Sequence, residues 1–205
     1  MESEGTTMEP TDRQSQSKPK TVNINPESDQ NELTNNNKNR VNRKRNQKIK
    51  HLKVMYSNTD SMLNKRDEIL AHANNKKPHV IVITEVNSKN RKQPTCKQEL
   101  ELEAYSLFTN ANTCRTRGVA VYVRTFLSPT VASSALTEAE EIVPVEINLA
   151  GRDKLLVAGI YRSPSGSTEN NVKINEWIKQ INVQRYSHIL LMGDFNYPDI
   201  KWENG

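Results

Sequence analysis

The chain is poor in aromatic residues, which make up 5% of its 205 positions, and it has only seven glycines and two cysteines. Cys96 and Cys114 cannot build a disulfide scaffold, and no Cys/His cluster has zinc-ligand spacing. The longest unbroken apolar runs are four or five residues, such as Val119 to Val123, so nothing in the sequence spans a bilayer. The start of the chain is polar and partly acidic, which predicts no secretory signal. The expected location is the nucleus or cytoplasm, a reducing setting in which both thiols stay free. Apolar residues are also scarce at the start. Residues 1–50 hold no aromatic side chain and seven apolar ones, while the remainder is about 41% hydrophobic, enough for a core.

The charge is divided as unevenly as the hydropathy. Residues 1–37 carry seven acids and three bases among many Ser, Thr, Asn and Gln. Such a segment cannot bury enough apolar surface to offset its ordering entropy, and is expected to be a disordered tail. Residues 38–53 contain no acid and eight bases: Lys38, Arg40, Arg43, Lys44, Arg45, Lys48, Lys50 and Lys53. This basic linker suits contacts with nucleic-acid phosphates, a nuclear-import signal, or a merely solvated tail. From residue 54 onward the charges nearly balance, at 18 bases and 17 acids.

The rest of the chain reads as an α/β domain. Leu52–Ser57 has the pattern of a strand, Ser61 can cap a helix running to about Asn75, and Pro78 stops it. His79–Thr84 packs β-branched residues together, as a strand buried on both faces does. Residues 87–103 are polar and suggest a long surface connection. Strands follow at about 105–109, 118–124, 142–149 and 154–161, the third expected to be half-buried. Asn171–Tyr186 has helical spacing at Ile174, Trp177, Ile178 and Ile181, and His188–Met192 reads as a last buried strand.

Several polar residues stand where apolar strands end, the place where ligands collect in α/β folds. Glu85 directly follows Val80–Thr84, and a carboxylate there is costly unless paired or bound to a cation such as Mg²⁺. Asp194 and Asn196 follow Ile189–Gly193; two apart in extended backbone, they would face the same way, with Phe195 opposed. Asn58 follows the first strand. Tyr161 ends the Leu155–Ile160 strand and precedes Arg162, a phenol and a guanidinium that can hold a phosphate. Each also has an ordinary explanation: turn formers at Asn58, Asp194 and Asn196, a solvated loop acid at Glu85, a packing residue at Tyr161.

Together these residues have a recognisable order. Asn58 in Tyr56-Ser-Asn-Thr-Asp-Ser, Glu85 in Ile81-Val-Ile-Thr-Glu, Arg117-Gly-Val-Ala-Val-Tyr, Tyr161 in Gly159-Ile-Tyr-Arg-Ser-Pro and Gly193-Asp-Phe-Asn-Tyr-Pro-Asp-Ile resemble the endonuclease/exonuclease/phosphatase superfamily. Within it, they resemble the endonuclease of non-LTR (LINE-type) retrotransposons. The resemblance covers 52–205 and implies a DNase I-like, four-layer α/β/β/α sandwich that cleaves DNA phosphodiesters with Mg²⁺. It implies that Glu85 ligates the metal, supported by Asn58. It implies further that Asp194 activates the attacking water, Asn196 bonds the scissile phosphate and Tyr161 stabilises the phosphate or leaving oxygen.

One family feature has no counterpart. The family site is completed by a later Ser-Asp-His segment, and His51, His72, His79 and His188 match none of its positions. The resemblance therefore implies a partial domain with reduced activity and a second sheet short of strands. Two other readings stay open: a non-catalytic relic that binds nucleic acid through 38–53, and a metal-dependent phosphatase of the same superfamily.

Overall fold

The structure, a computed structural model, describes residues 51–197 except 91, 92, 94, 115, 133–138, 182 and 183. The expected tail and seven of the eight basic residues, Lys38, Arg40, Arg43, Lys44, Arg45, Lys48 and Lys50, lie outside the described residues.

Two four-stranded sheets form the frame. The first has the order β1 (Val54–Asn58), β2 (Val80–Thr84), β4 (Val119–Arg124), β3 (Tyr105–Thr109). The second has the order β5 (Thr130–Val131), β6 (Ile142–Asn148), β7 (Lys154–Tyr161), β8 (His188–Asp194). In each sheet one edge pair is parallel, β1 with β2 and β7 with β8, and the remaining pairs are antiparallel. Each parallel pair is joined by a helix, α1 (Arg66–Lys76) in the first sheet and α3 (Thr168–Gln180) in the second.

Strand alternation sorts the core into three seams, and so defines four layers. Val80, Val82, Val119, Val121 and Val123 of the first sheet meet Val143, Val145, Ile147 and Val157 of the second. The alternate residues Ile81, Ile83, Ala120 and Tyr122 turn outward onto Ile69 and Ala73 of α1. On the other side Leu156, Ala158 and Ile160 turn outward onto Ile174 and Trp177 of α3. The order is helix, sheet, sheet, helix, the α/β sandwich expected from the sequence. Gly159 lets the sheets close: a Cβ there would lie 2.7 Å from Val119 Cγ1 and 2.8 Å from Val121 Cγ2.

Several expectations need correction. Ser61 caps no helix; its N–H bonds the Glu85 carbonyl at 2.9 Å, and a 3₁₀ turn at Leu63–Lys65 precedes α1. The 87–103 connection is not all surface, because a short helix α2 (Lys97–Leu100) buries Leu100, and Leu102 follows it inward. β6 is buried on both faces rather than half-buried, since sheet one covers one side and the α3 layer the other. α3 begins at Thr168, three residues before the periodic stretch, because Ser167 Oγ accepts Asn170 N–H at 3.1 Å and starts the helix. It ends at Gln180, not Tyr186. β8 is partly exposed, with Ile189 at 37%, because among the described residues only β7 pairs with it. Strand β5 had no sequence signal, being two exposed residues long.

Candidate active site

The two parallel pairs bring four strand ends to one mouth of the sandwich. Asn58 is paired with Thr84 in register, one residue before Glu85, and Tyr161 is paired with Asp194. β1 and β8 lie side by side across the inter-sheet seam, and there Asn58 Nδ2 donates to Asp194 Oδ2 at 3.2 Å. The residues singled out in the sequence, Asn58, Glu85, Tyr161, Asp194 and Asn196, thus surround one opening.

Glu85 sits in the left-handed region at φ 57°, unusual for a residue with a side chain. Two neighbouring loops hold its segment there. Thr59, Ser61 and Met62 donate backbone N–H groups to Thr84, Glu85 and Val86, while Val86 and Asn87 donate to Gly118 and Arg117. Four of the seven non-glycine residues with positive φ among those described, Asp60, Ser61, Glu85 and Asn196, lie at this mouth. Backbone strain concentrated in this way is a mark of functional sites.

Two groups grip the Glu85 carboxylate. Arg117 Nη1 donates to Oε2, and the Tyr161 hydroxyl is also bonded to Glu85. Arg117 reaches further, with Nη2 on Asp60 Oδ1 and Nε on the Asn87 carbonyl at 3.1 Å. One guanidinium therefore links two carboxylates. Tyr161 is 2% exposed, and its phenol is pushed up to about 12 by burial first and the Glu85 charge second, so it stays protonated and able to donate. Tyr56, whose hydroxyl lies 3.1 Å from Thr84 Oγ1, is also raised, by burial and then by Asp194 and Glu85.

The second half of the site is locked by Arg162. Its N–H donates to the Asp194 carbonyl at 2.9 Å, its Nη1 to the Asn196 carbonyl at 2.5 Å and its Nε to Asn171 Oδ1 at 2.9 Å. Its guanidinium also lies 4.3 Å from the Tyr197 ring centroid. Arg162 thus braces this half of the site. Asn196 needs correction. At φ 47° it leaves the extended path, so it does not simply repeat the direction of Asp194, and its Nδ2 donates to the Arg162 carbonyl at 2.9 Å. Gly193 allows this approach, since a Cβ there would fall 1.7 Å from the Ile160 carbonyl oxygen.

Two clefts open from the mouth. One of about 820 Å³ is lined by Glu85, Arg117, Tyr161 and the serine-rich turn Ser163–Ser167. The other, of about 500 Å³, is lined by Tyr56, Asp194, Asn196 and Tyr197. No group of three or more His, Cys, Asp or Glu gathers among the described residues. The donor set nevertheless suits a hard divalent cation. Asp60 and Glu85 already hold one positive group between them, and Mg²⁺ ordinarily takes only one or two protein carboxylates, completing its shell with water and phosphate.

Asp60, Arg117 and the bracing role of Arg162 were not singled out in the sequence. Arg117 lies in a quoted motif, but nothing in its spacing pairs it with residues 32 and 57 positions away. Lys53, the only described member of the basic run, is exposed at the amino end of β1, away from the mouth. Its carbonyl accepts His79 N–H at 2.7 Å.

The fold is a DNase I-like α/β sandwich. Residues 52–205 match the pattern of the Endonuclease/Exonuclease/phosphatase family, and the chain belongs to that family. Among solved structures it is similar to the endonuclease domain of TRAS1, a telomere-specific non-LTR retrotransposon. That match has 16% identity, covers 72% of this chain and 61% of that one, and has a TM-score of 0.52. It is also similar to the AP endonuclease LMAP from Leishmania major, at 13% identity, 69% and 54% coverage, and a TM-score of 0.50. At these identities the likeness is one of fold. The chain spans less than two thirds of the length of both structures. A search of curated proteins finds no match.

Proposed function

We propose that this chain carries a Mg²⁺-dependent phosphodiesterase that nicks DNA, of the type used by non-LTR retrotransposons. The single observation that carries this reading is the convergence of four strand ends, fastened by the Asn58–Asp194 hydrogen bond. Glu85, with Asn58 beside it, would hold the metal, which supplies charge neutralisation at the phosphate.

The protein's own groups divide the remaining work. Asn58 fixes Asp194 Oδ2 with an N–H, so the carboxylate is aimed before substrate arrives and can take a proton from an attacking water. Tyr161 keeps its proton across the neutral range; the hydroxyl rests on Glu85 in the free protein and would turn its one hydrogen to a phosphate or leaving oxygen when substrate binds. Asn196 spends one amide hydrogen on Arg162 and has a second for a phosphate oxygen. The chemistry is positioning and electrostatics, with no covalent intermediate required.

The basic run contacts DNA phosphates in this reading. Lys53, the one described member of that run, lies about 17 Å along β1 from Asn58, so its own contact would be with flanking duplex and not with the scissile bond.

The test is supercoiled-plasmid nicking by the full chain with Mg²⁺ and with EDTA, beside Glu85→Ala and Asp194→Ala. Metal-dependent nicking lost in both variants is the expected result. A folded wild-type chain that nicks no more than Asp194→Ala overturns the reading.

A further inference from the structure

Glu141, which immediately precedes β6, is 0% exposed, the one carboxylate among the described residues with no access to solvent. Holding a carboxyl group out of water is costly, and a well-packed apolar residue of similar volume would commonly cost less. What the carboxyl group adds is directed hydrogen bonding. Ser163 N–H donates to Oε1 at 3.1 Å and Oε2 at 3.3 Å, and Asn170 Nδ2 donates to Oε2 at 2.6 Å. The Glu141 backbone carbonyl accepts Tyr161 N–H at 3.0 Å. Burial pushes the acid's pKa up, against the pull of Ser163, Asn170 and Arg162.

These bonds hold the residues on both sides of Arg162. Arg162 in turn holds Asp194 and Asn196 through three hydrogen bonds, and Tyr161 carries the hydroxyl bonded to Glu85. A continuous path of hydrogen bonds therefore runs from a buried acid to both halves of the mouth. We propose that Glu141 is a positioning residue for the phosphodiester-cleaving site. It fixes the Tyr161–Ser163 segment so that Tyr161 stays on Glu85, and Arg162 keeps Asp194 and Asn196 in place. The role in cleavage rests on the function proposed above; the structural role does not.

Two variants separate directed bonding from mere filling. Glu141→Gln keeps an oxygen that can accept both Ser163 and Asn170, whereas Glu141→Met keeps volume and no strong acceptor. In the full chain, backbone amide exchange is read by mass spectrometry over 161–170, with β4 as the internal control. Glu141→Met is expected to speed exchange in 161–170 about tenfold or more and leave β4 unchanged, and Glu141→Gln to change it less than about threefold. In plasmid nicking, Glu141→Met should lower kcat about tenfold or more with KM within about twofold, and Glu141→Gln should recover most of that loss. Unchanged exchange over 161–170, exchange that rises without loss of kcat, or a Gln variant as poor as Met overturns the proposal. If wild type does not nick, the functional reading fails, and the exchange comparison alone decides whether Glu141 holds the segment. Should Glu141→Met fail to fold, Asn170→Ala removes one donor and leaves the acid in place. It must then speed exchange over the same segment, and unchanged exchange there refutes the proposal.

Discussion

Asn58 and Asp194 are 136 positions apart and 3.2 Å from each other, the last residues of β1 and β8. Their hydrogen bond fastens the two sheets at the mouth where Tyr161 ends β7 and Glu85 follows β2. It aims a carboxylate with an amide that carries no charge.

The first prediction tests that relationship. Asn58→Ala leaves Asp194 unaimed and should reduce nicking about 10²–10³-fold, the usual cost of losing a preorganised polar contact. Asn58→Asp should be worse, because it sets two carboxylates face to face in place of a donor and an acceptor. Nicking rates for the two variants, with circular dichroism to confirm folding, decide the matter. Equal rates for Asn58→Asp and wild type would refute it.

Arg117 yields the second prediction. It joins Glu85 and Asp60, so Arg117→Ala leaves two carboxylates without their shared cation. The variant should be less stable than wild type in EDTA and should gain more from Mg²⁺, since a ligand that binds only the folded state raises its melting temperature. Melting curves across a MgCl₂ series provide the check. A variant whose melting temperature ignores Mg²⁺ would show that these acids do not gather divalent cations.

The fold was largely legible in the sequence because hydrophobic periodicity reports local burial. The all-buried run of β2 and the helical stripe of Ile174 and Trp177 both appear where expected. What was not legible depends on partners distant in the chain. β6 alternates only partly, and nothing local says that a second sheet covers its other face. Likewise, Glu85 and Glu141 are both acids at the ends of apolar strands. The motif order distinguishes Glu85, but Glu141 stands at an amino end and gains meaning only when Ser163 and Asn170 fold onto it. Asn196 was placed in the site but given the wrong backbone, since its left-handed φ follows from the Arg162 clamp.

Gly193 carries the third prediction. Any Cβ at this position would overlap the Ile160 carbonyl, a backbone atom of the neighbouring strand that cannot rotate away. Gly193→Ala must therefore part β7 from β8 at the end where Asp194 is presented. The expected cost is about 3 kcal/mol or more, at or beyond the upper end for overpacking because backbone has to move. Urea unfolding measures it. A variant within about 0.5 kcal/mol of wild type, the range of neutral surface changes, would mean that the strands do not approach as described.

The fourth prediction concerns pH, where two acids of the second sheet act in opposite directions. Burial raises the pKa of Glu141 above its ordinary 4.5, so over the window just above 4.5 the native state keeps a proton that the unfolded chain has released. Its contribution to stability is present at low pH and is lost as pH rises through the raised value. Glu146 is bonded to Lys154 at 2.8 Å and Arg185 at 3.0 Å, and these bonds, Lys154 first, hold its pKa below 4.5. Its contribution is present above 4.5 and is lost as pH falls through the lowered value. Both cations are about one third exposed, so that contribution should stay near or below about 1 kcal/mol. Urea midpoints from about pH 3.5 to 8, spanning the ordinary carboxyl range, should show the difference between wild type and Glu141→Gln shrinking as pH rises. The difference between wild type and Glu146→Gln should grow instead. If both differences move in the same direction with pH, one of the two environments has been misread. The variant whose slope has the wrong sign identifies which.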